Sequence, residues 1–413
     1  MPASNNTNFV TQRTPKLPAG FRAAGVACGI KTGGAPDLGM LVSEREAVCS
    51  ASFTTNKIKA APVRLSKSHL RGGDLRAVIV NSGNANACNG ERGETDAKAM
   101  AAAAAGELDL RPRQVFVAST GIIGVPLPID RVRAGAPAVV RKLSPSGLGA
   151  FSRAIMTSDK VAKTAGVTLR IGGKDVTISG AAKGAGMIAP NMATMLAFIT
   201  TDAAVDKKEL DAANREAVAG SFNCISVDGA LSTNDCVLVM ANGAAGNRPF
   251  KSGGPASRQF RAALAQVMLK LAQKLVRDGE GVSKFVTIEV TGARSDGDAR
   301  KVAEAVANSS LVKCSWNGSD PNWGRVIDAV GYSGARVEES RVDIAFNGLP
   351  GAKGGVAADT PIGKLKAAVS KAEFTVTIDL GLGRGLHRVF TSDLSEGYVA
   401  YNRLEYALKL QGR

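Results

Sequence analysis

"KGAGMIAPNMATML", residues 183–196, leaves a lysine through Gly184 and Gly186, passes Pro190, presents Ala193-Thr194, and only then turns regular as the apolar run "MLAFITTDA". The glycines and the proline exclude a helix before the threonine. Two readings follow. Thr194 opens a strand, where threonine is common, or its hydroxyl sits beside a scissile Ala193-Thr194 bond. In the second reading the small Ala193 lets the hydroxyl attack the preceding carbonyl with little obstruction, and hydrolysis then frees the α-amino group of Thr194. That amine, with an ordinary pKa of about 7.7–8, suits a base working near neutral pH.

Working outward, "VTLRIGGKDVTISGAAKG" (167 to 184) alternates about Gly172-Gly173 and reads as a hairpin feeding the opening stretch. Upstream, "RAVIVNSG" (76 to 83) and "QVFVAST" (114 to 120) are short strands separated by the alanine-rich helical run "DAKAMAAAAAGEL" (96 to 108). Stretches 128 to 144 and 148 to 156 look helical. Downstream come a helix from about Lys207, a strand "DCVLVMANG", a long helix (255 to 277) and "KFVTIEVTGA" (284 to 293). A second glycine-marked hairpin involves "VDIAFNG" (342 to 348), and "EFTVTIDLGLG" (373 to 383) is a strong strand. The expectation is an α/β fold of mixed, largely antiparallel sheets covered by helices, in two structural units with a boundary near 280 to 295.

Composition bounds the function. The chain has 413 residues, 45% of them apolar, enough to bury two cores. Lys and Arg outnumber Asp and Glu by 52 to 36, but the charges are scattered and aromatics make up 5%, which suits small anionic substrates better than nucleic acid. Six cysteines and two histidines, His69 and His387, lie isolated, without metal-ligand spacing. No apolar run of signal-peptide or membrane-span type occurs, so reduced cysteines and a cytoplasmic location are expected.

Other motifs each carry two readings. "GAPDLG", "GAAKGAG" and "GLGRG" lack phosphate-loop spacing and read as turns. Neither histidine sits at an elbow suited to a Ser-His-Asp triad. "ASTGIIG" (118 to 124) ends a strand on Thr120-Gly121, where a hydroxyl and a backbone N–H can receive an oxyanion, or is an ordinary turn. "NSGNANACNG" (81 to 90) suits a hydrogen-bonding loop near a polar ligand or a solvated turn. In "RDGEGVSK" (277 to 284), Glu280 either faces a substrate ammonium or belongs to a helix-ending turn; "SDPNWGRV" (319 to 326) is a tryptophan corner or a binding loop.

Together, "KGAGMIAPNMATMLAFITTDA", "NSGNANAC", "STGIIG", "SFNCISVDGALSTND", "DGEG" and "DPNWGR" closely resemble, in order, the motifs of the ornithine acetyltransferase (glutamate N-acetyltransferase) family of arginine biosynthesis, over essentially the whole chain. The resemblance implies an N-terminal-nucleophile-like, self-cleaving acetyltransferase fold. An α chain, 1–193, and a β chain, 194–413, would stay associated and pair into a heterotetramer. It also implies acetyl transfer from N-acetylornithine to glutamate by a ping-pong route through an acetyl-threonine ester. No bound cofactor or metal is implied, although some members also take the acetyl group from acetyl-coenzyme A.

Carried onto this sequence, the resemblance makes Thr194 the nucleophile, Thr120 and Gly121 the oxyanion stabilisers, and Thr157, Lys183, Glu280 and Asn402 substrate contacts. A lysine suits a carboxylate and a glutamate an ammonium. Small-molecule substrates and self-association are the partners implied, with neither nucleic acid nor membrane. Three departures bear on specificity. "YVAYNRLEYALKLQGR" supplies Asn402 without a Ser or Thr beyond it, "VFTSDLSEGYV" replaces a tryptophan-glycine-cysteine stretch, and Ala230 stands where an acidic residue is common. Altered amino-acid specificity and a related amidohydrolase or aminopeptidase are the alternatives.

Overall fold

The computed structural model describes residues 9–189 and 195–410. Two compact units divide them: 9–187, 195–223 and 230–275 in the first, 188–189, 224–229 and 276–410 in the second. The long passage into the second unit falls at Leu275–Val276, ahead of the 280 to 295 window, because the uninterrupted helix Pro255–Arg277 keeps its residues with the first unit almost to its end.

The first unit contains two sheets. The smaller runs in the order β2 (Phe21–Val26), β3 (Leu38–Ser43), β5 (Ala77–Asn84), β6 (Val115–Ile122). The larger runs β1 (Phe9–Thr11), β7 (Lys163–Ile171), β8 (Lys174–Lys183), β9 (Leu196–Thr201), β10 (Cys236–Ala241), β4 (Val48–Phe53). In the second unit one sheet has the order β14 (Val356–Ala357), β13 (Leu349–Lys353), β12 (Asp343–Phe346), β15 (Glu373–Asp379), β11 (Phe285–Ala293), β16 (Gly385–Ser392). Each sheet has one parallel pair, β5–β6, β9–β10 or β11–β15, and is otherwise antiparallel. The fold is therefore the mixed, largely antiparallel α/β arrangement the hairpin signals indicate.

Local chemistry explains these pairings. Gly172 and Gly173 have φ of 57° and 79°, and Asn347 and Gly348 have φ of 48° and 80°; both pairs make the left-handed two-residue turns that match strand twist, joining β7 to β8 and β12 to β13. The parallel β5–β6 pair needs a crossover, supplied by helix Gly90–Leu108, which starts ahead of the alanine-rich run. In β5 and β6 successive side chains alternate between two cores. Val78, Val80, Phe116 and Ala118 face a core shared with Phe198, Leu238 and Met240 of the larger sheet. Ala77, Ile79, Val115 and Val117 face Met100, Ala104, Val132 and Val139 of the covering helices. Burial on both faces is why these strands read as continuous apolar runs. Among the described residues no helix is long and apolar enough to cross a membrane.

Candidate active site

Strands β8 and β9 are antiparallel neighbours, with Lys183 directly opposite Leu196. Residues 184–195 therefore connect two adjacent strands whose ends are fixed side by side, and the Ala193-Thr194 bond belongs to that connection. Ala193 and Thr194 themselves lie outside the described residues. Just beyond them Met195 is buried, its N–H donating to Asp235 Oδ1 at 3.0 Å.

Lys183, at the end of β8, is 3% exposed. Its ammonium donates to Thr120 Oγ1 at 3.1 Å and to Thr157 Oγ1 at 2.7 Å, so three of the residues singled out in the sequence are brought together in the first unit. A hydroxyl that accepts from an ammonium keeps its own hydrogen to donate. Thr120 can thus present an O–H polarised by a neighbouring cation to a developing oxyanion, a role that needs a preorganised donor. Gly121 follows at the exposed end of β6, paired with Gly83 of β5. A Cβ at Gly121, where φ is 138°, would lie 2.2 Å from the Gly83 carbonyl carbon, so close strand approach demands a glycine here.

The sequence reading missed the carboxylate beneath this group. Asp159 Oδ1 accepts from the Gly184 N–H at 2.7 Å and from the Lys163 ammonium at 2.6 Å, while Oδ2 accepts from the Thr157 N–H at 2.9 Å. It ties the first residue after Lys183 to the Thr157 turn. Burial works to raise its pKa, but the Lys183 and Lys163 ammonium groups and the Gly184 N–H outweigh this and hold the carboxyl at about 2. A second lysine, Lys31, donates to Met156 O at 2.7 Å and Pro36 O at 2.9 Å, bracing the same turn. Burial lowers its pKa to about 8, Lys183 adding to the fall and Asp37 opposing it. Asp159 lies two residues after Thr157, but neither it nor Lys163 nor Lys31 carries a local signal in the sequence.

Asp159 yields a stability prediction. Asp159→Asn removes the carboxylate from Lys163, which is itself fully buried, and is expected to cost about 3–5 kcal/mol in denaturant unfolding. Because the folded pKa is depressed, the native carboxylate contributes stability that is fully present above the unfolded value of about 4 and is lost as pH falls toward about 2. Wild-type stability should show that acid limb, and Asp159→Asn should flatten it.

The buried amides of "NSGNANACNG" are engaged in internal hydrogen bonds. Asn84 Nδ2 donates to Val125 O and Pro126 O, Asn86 Nδ2 to Gly93 O, and Asn81 Oδ1 accepts from Ser119 Oγ. Asn234 Nδ2 donates to Ala85 O and Ser119 O. These buried amides pair backbone that the sheet leaves unpaired and so fix the strand ends that carry Thr120.

The second unit holds Glu280 and Asn402. Glu280 stands between Gly279 and Gly281, and Asn402 Nδ2 donates to its Oε2 at 3.1 Å. Gly281 is irreplaceable: φ is 67°, and a Cβ would meet Tyr398 N at 2.3 Å. Ser395 Oγ donates to Gly281 O at 2.5 Å, so the turn seats the start of helix Glu396–Leu410, which carries Asn402. The Tyr398 hydroxyl donates to Asp228 Oδ2 at 3.2 Å, and Asp228 Oδ1 accepts from the Ile188 N–H at 2.8 Å. Burial, then the Asp228 charge, push the Tyr398 pKa up.

Other candidates have structural partners of their own. Asn322 Oδ1 caps helix Trp323–Gly331 by accepting from the Arg325 N–H, and Trp323 packs on the core of its unit, a tryptophan corner. His69 Nδ1 meets Val115 O at 2.8 Å, and His387 lies in β16 with its pKa lowered by burial; among the described residues neither is hydrogen-bonded to a serine or a carboxylate.

Comparison with known proteins places this geometry. The ArgJ family model matches residues 22–406. The arginine biosynthesis bifunctional protein ArgJ of Geobacter sulfurreducens is 49% identical over 384 residues, which is 93% of this chain and 98% of that one. Its namesake from Symbiobacterium thermophilum is 48% identical over 391 residues, 93% and 96% of the two chains. The crystal structure of the arginine biosynthesis bifunctional protein ArgJ from Bacillus halodurans is similar at 38% identity and a TM-score of 0.50, covering 51% of this chain and 99% of that one. A family match across nearly all of the sequence, with relatives this similar along their full lengths, leads to one conclusion: the chain belongs to the ArgJ family.

Proposed function

We propose that this chain cuts itself between Ala193 and Thr194 and then moves an acetyl group from N-acetylornithine to glutamate through an ester on Thr194. The observation that carries the reading is the Lys183 ammonium joined to Thr120 and Thr157 at the strand end from which the scissile connection departs. In self-cleavage, Thr194 Oγ attacks the Ala193 carbonyl carbon, and the oxyanion is received by the Thr120 O–H and the Gly121 N–H. The C–N bond breaks, the nitrogen takes up a proton, and water hydrolyses the resulting ester, leaving the Ala193 carboxylate and a free amine on Thr194.

In turnover the same hydroxyl attacks the acetyl carbonyl of N-acetylornithine and passes its proton to that amine, which returns it to the departing ornithine nitrogen. The glutamate amine then attacks the acetyl ester and regenerates the hydroxyl. Lys183 and Thr157 hold substrate carboxylate and polar groups; Glu280, oriented by Asn402, holds the side-chain ammonium of N-acetylornithine.

Sheet order supports two chains that stay together. Strands β9 and β10, after the cut, lie between β8 and β4, before it, so separation would break two ladders. Association into a heterotetramer, acetyl-coenzyme A as a second acetyl donor and a cytoplasmic location are part of the same reading, on the resemblance. Product analysis tests it: acetylglutamate should accumulate as N-acetylornithine is consumed, whereas release of acetate with glutamate unchanged would make the protein a hydrolase. Glu280→Gln keeps shape and can still accept from Asn402. It is expected to lower kcat/KM for N-acetylornithine about 10–100-fold. The glutamate half-reaction, whose substrate has no side-chain ammonium, should change far less; steady-state ping-pong kinetics separate the two.

A further inference from the structure

Asp235 stands immediately before β10 and is fully buried. Its Oδ1 accepts from the Met195 N–H at 3.0 Å, and the next residue, Cys236, donates its N–H to Met195 O at 3.2 Å. Asp235 O itself accepts from the Thr54 N–H at 3.0 Å, which fixes it to the end of β4. Met195 is thus gripped on both its peptide planes by one neighbouring corner. The Met195 nitrogen is bonded to the carbonyl carbon of Thr194, and after self-cleavage that bond is all that attaches the nucleophile to the protein. None of the motif roles carried over from the family includes Asp235.

We infer that Asp235 is a positioning residue, which orients the Thr194 hydroxyl and amine by holding the Thr194–Met195 peptide. The inference rests on Thr194 being the nucleophile. Burial drives the Asp235 carboxyl well above the ordinary carboxylate range, against the pull of the Met195 N–H and of the Lys183 charge. The Thr54 hydroxyl, which pulls the same way as these, is committed to Ser232 O at 2.8 Å. The contact that holds Met195 is an N–H donated to Oδ1, which an amide oxygen in the same place accepts equally well. An amide of the same shape should therefore replace it, while a side chain without an acceptor at that distance should not.

The test uses the full chain with Asp235→Asn and Asp235→Ala, folding verified by near-UV circular dichroism. Asp235→Asn is expected to split at close to the wild-type rate and to keep the wild-type pH profile. Asp235→Ala is expected to split and turn over about 10²-fold more slowly, with kcat reduced and KM unchanged, as misplacement of a reacting group produces. Should Asp235→Ala not fold, Asp235→Ser, whose oxygen falls one bond short of the Met195 N–H, takes its place with the same expectation. Wild-type rates in Asp235→Ala or Asp235→Ser would overturn the inference. So would a folded Asp235→Asn that is inactive or has a shifted pH profile, since either would require an ionising carboxylate. Failure of the wild-type chain itself to split would instead overturn the reading of Thr194.

Discussion

A Thr194→Ala chain is expected to remain one polypeptide of 413 residues and to lose acetyl transfer by roughly 10⁵-fold or more. The substitution removes the attacking oxygen in both reactions, and without scission it also denies the site the α-amine that would accept the proton. It should not cost the fold. The strands on either side, β8 and β9, are neighbours through their own ladder from Lys183–Leu196 to Ile178–Thr201, and Met195 is anchored independently by Asp235. Denaturing electrophoresis reads the first effect, and the coupled assay of acetylglutamate the second. A Thr194→Ala protein that still splits would remove the hydroxyl from the mechanism.

The second large effect is expected at Thr120. Thr120→Val keeps shape and volume in a buried strand position but deletes the O–H proposed above to receive the oxyanion, for an expected fall of about 10²–10³ in kcat. Self-cleavage should slow by a similar factor, because the same donor serves both tetrahedral intermediates. Lys183 retains Thr157, so substrate KM should move little. Single-turnover acetylation of the protein, followed by mass, separates this loss from binding; a large rise in KM with unchanged kcat would instead make Thr120 a substrate contact.

Much of this was legible in the sequence for physical reasons. Paired glycines at 172–173 and the Asn347-Gly348 dipeptide demand left-handed backbone, and that demand exposes the hairpins and with them the mixed sheets. The strand-to-glycine transition at Thr120-Gly121 was equally visible, since only a residue without Cβ lets β6 approach β5 so closely. The grouping of Lys183 with Thr120 and Thr157 was not. It depends on the ends of β6 and β8, which belong to different sheets, and on the turn at Thr157, all distant in sequence and brought together only by tertiary packing. Asp159 and Lys163 were hidden for a related reason: a buried ion pair leaves no periodic or compositional trace, and a lysine at the start of a strand reads as a solvated end. The structural part played by the polar loop at 81–90 was not legible because amides that pair buried backbone have the same composition as amides that meet a ligand.

The most direct test is intact-mass spectrometry of the purified protein before and after addition of N-acetylornithine. The account requires two chains, 1–193 and 194–413, and a gain of one acetyl group on the second alone, reversed when glutamate is added. A single uncut chain that nonetheless forms acetylglutamate at full rate, or an acetyl group on the first chain, would contradict it.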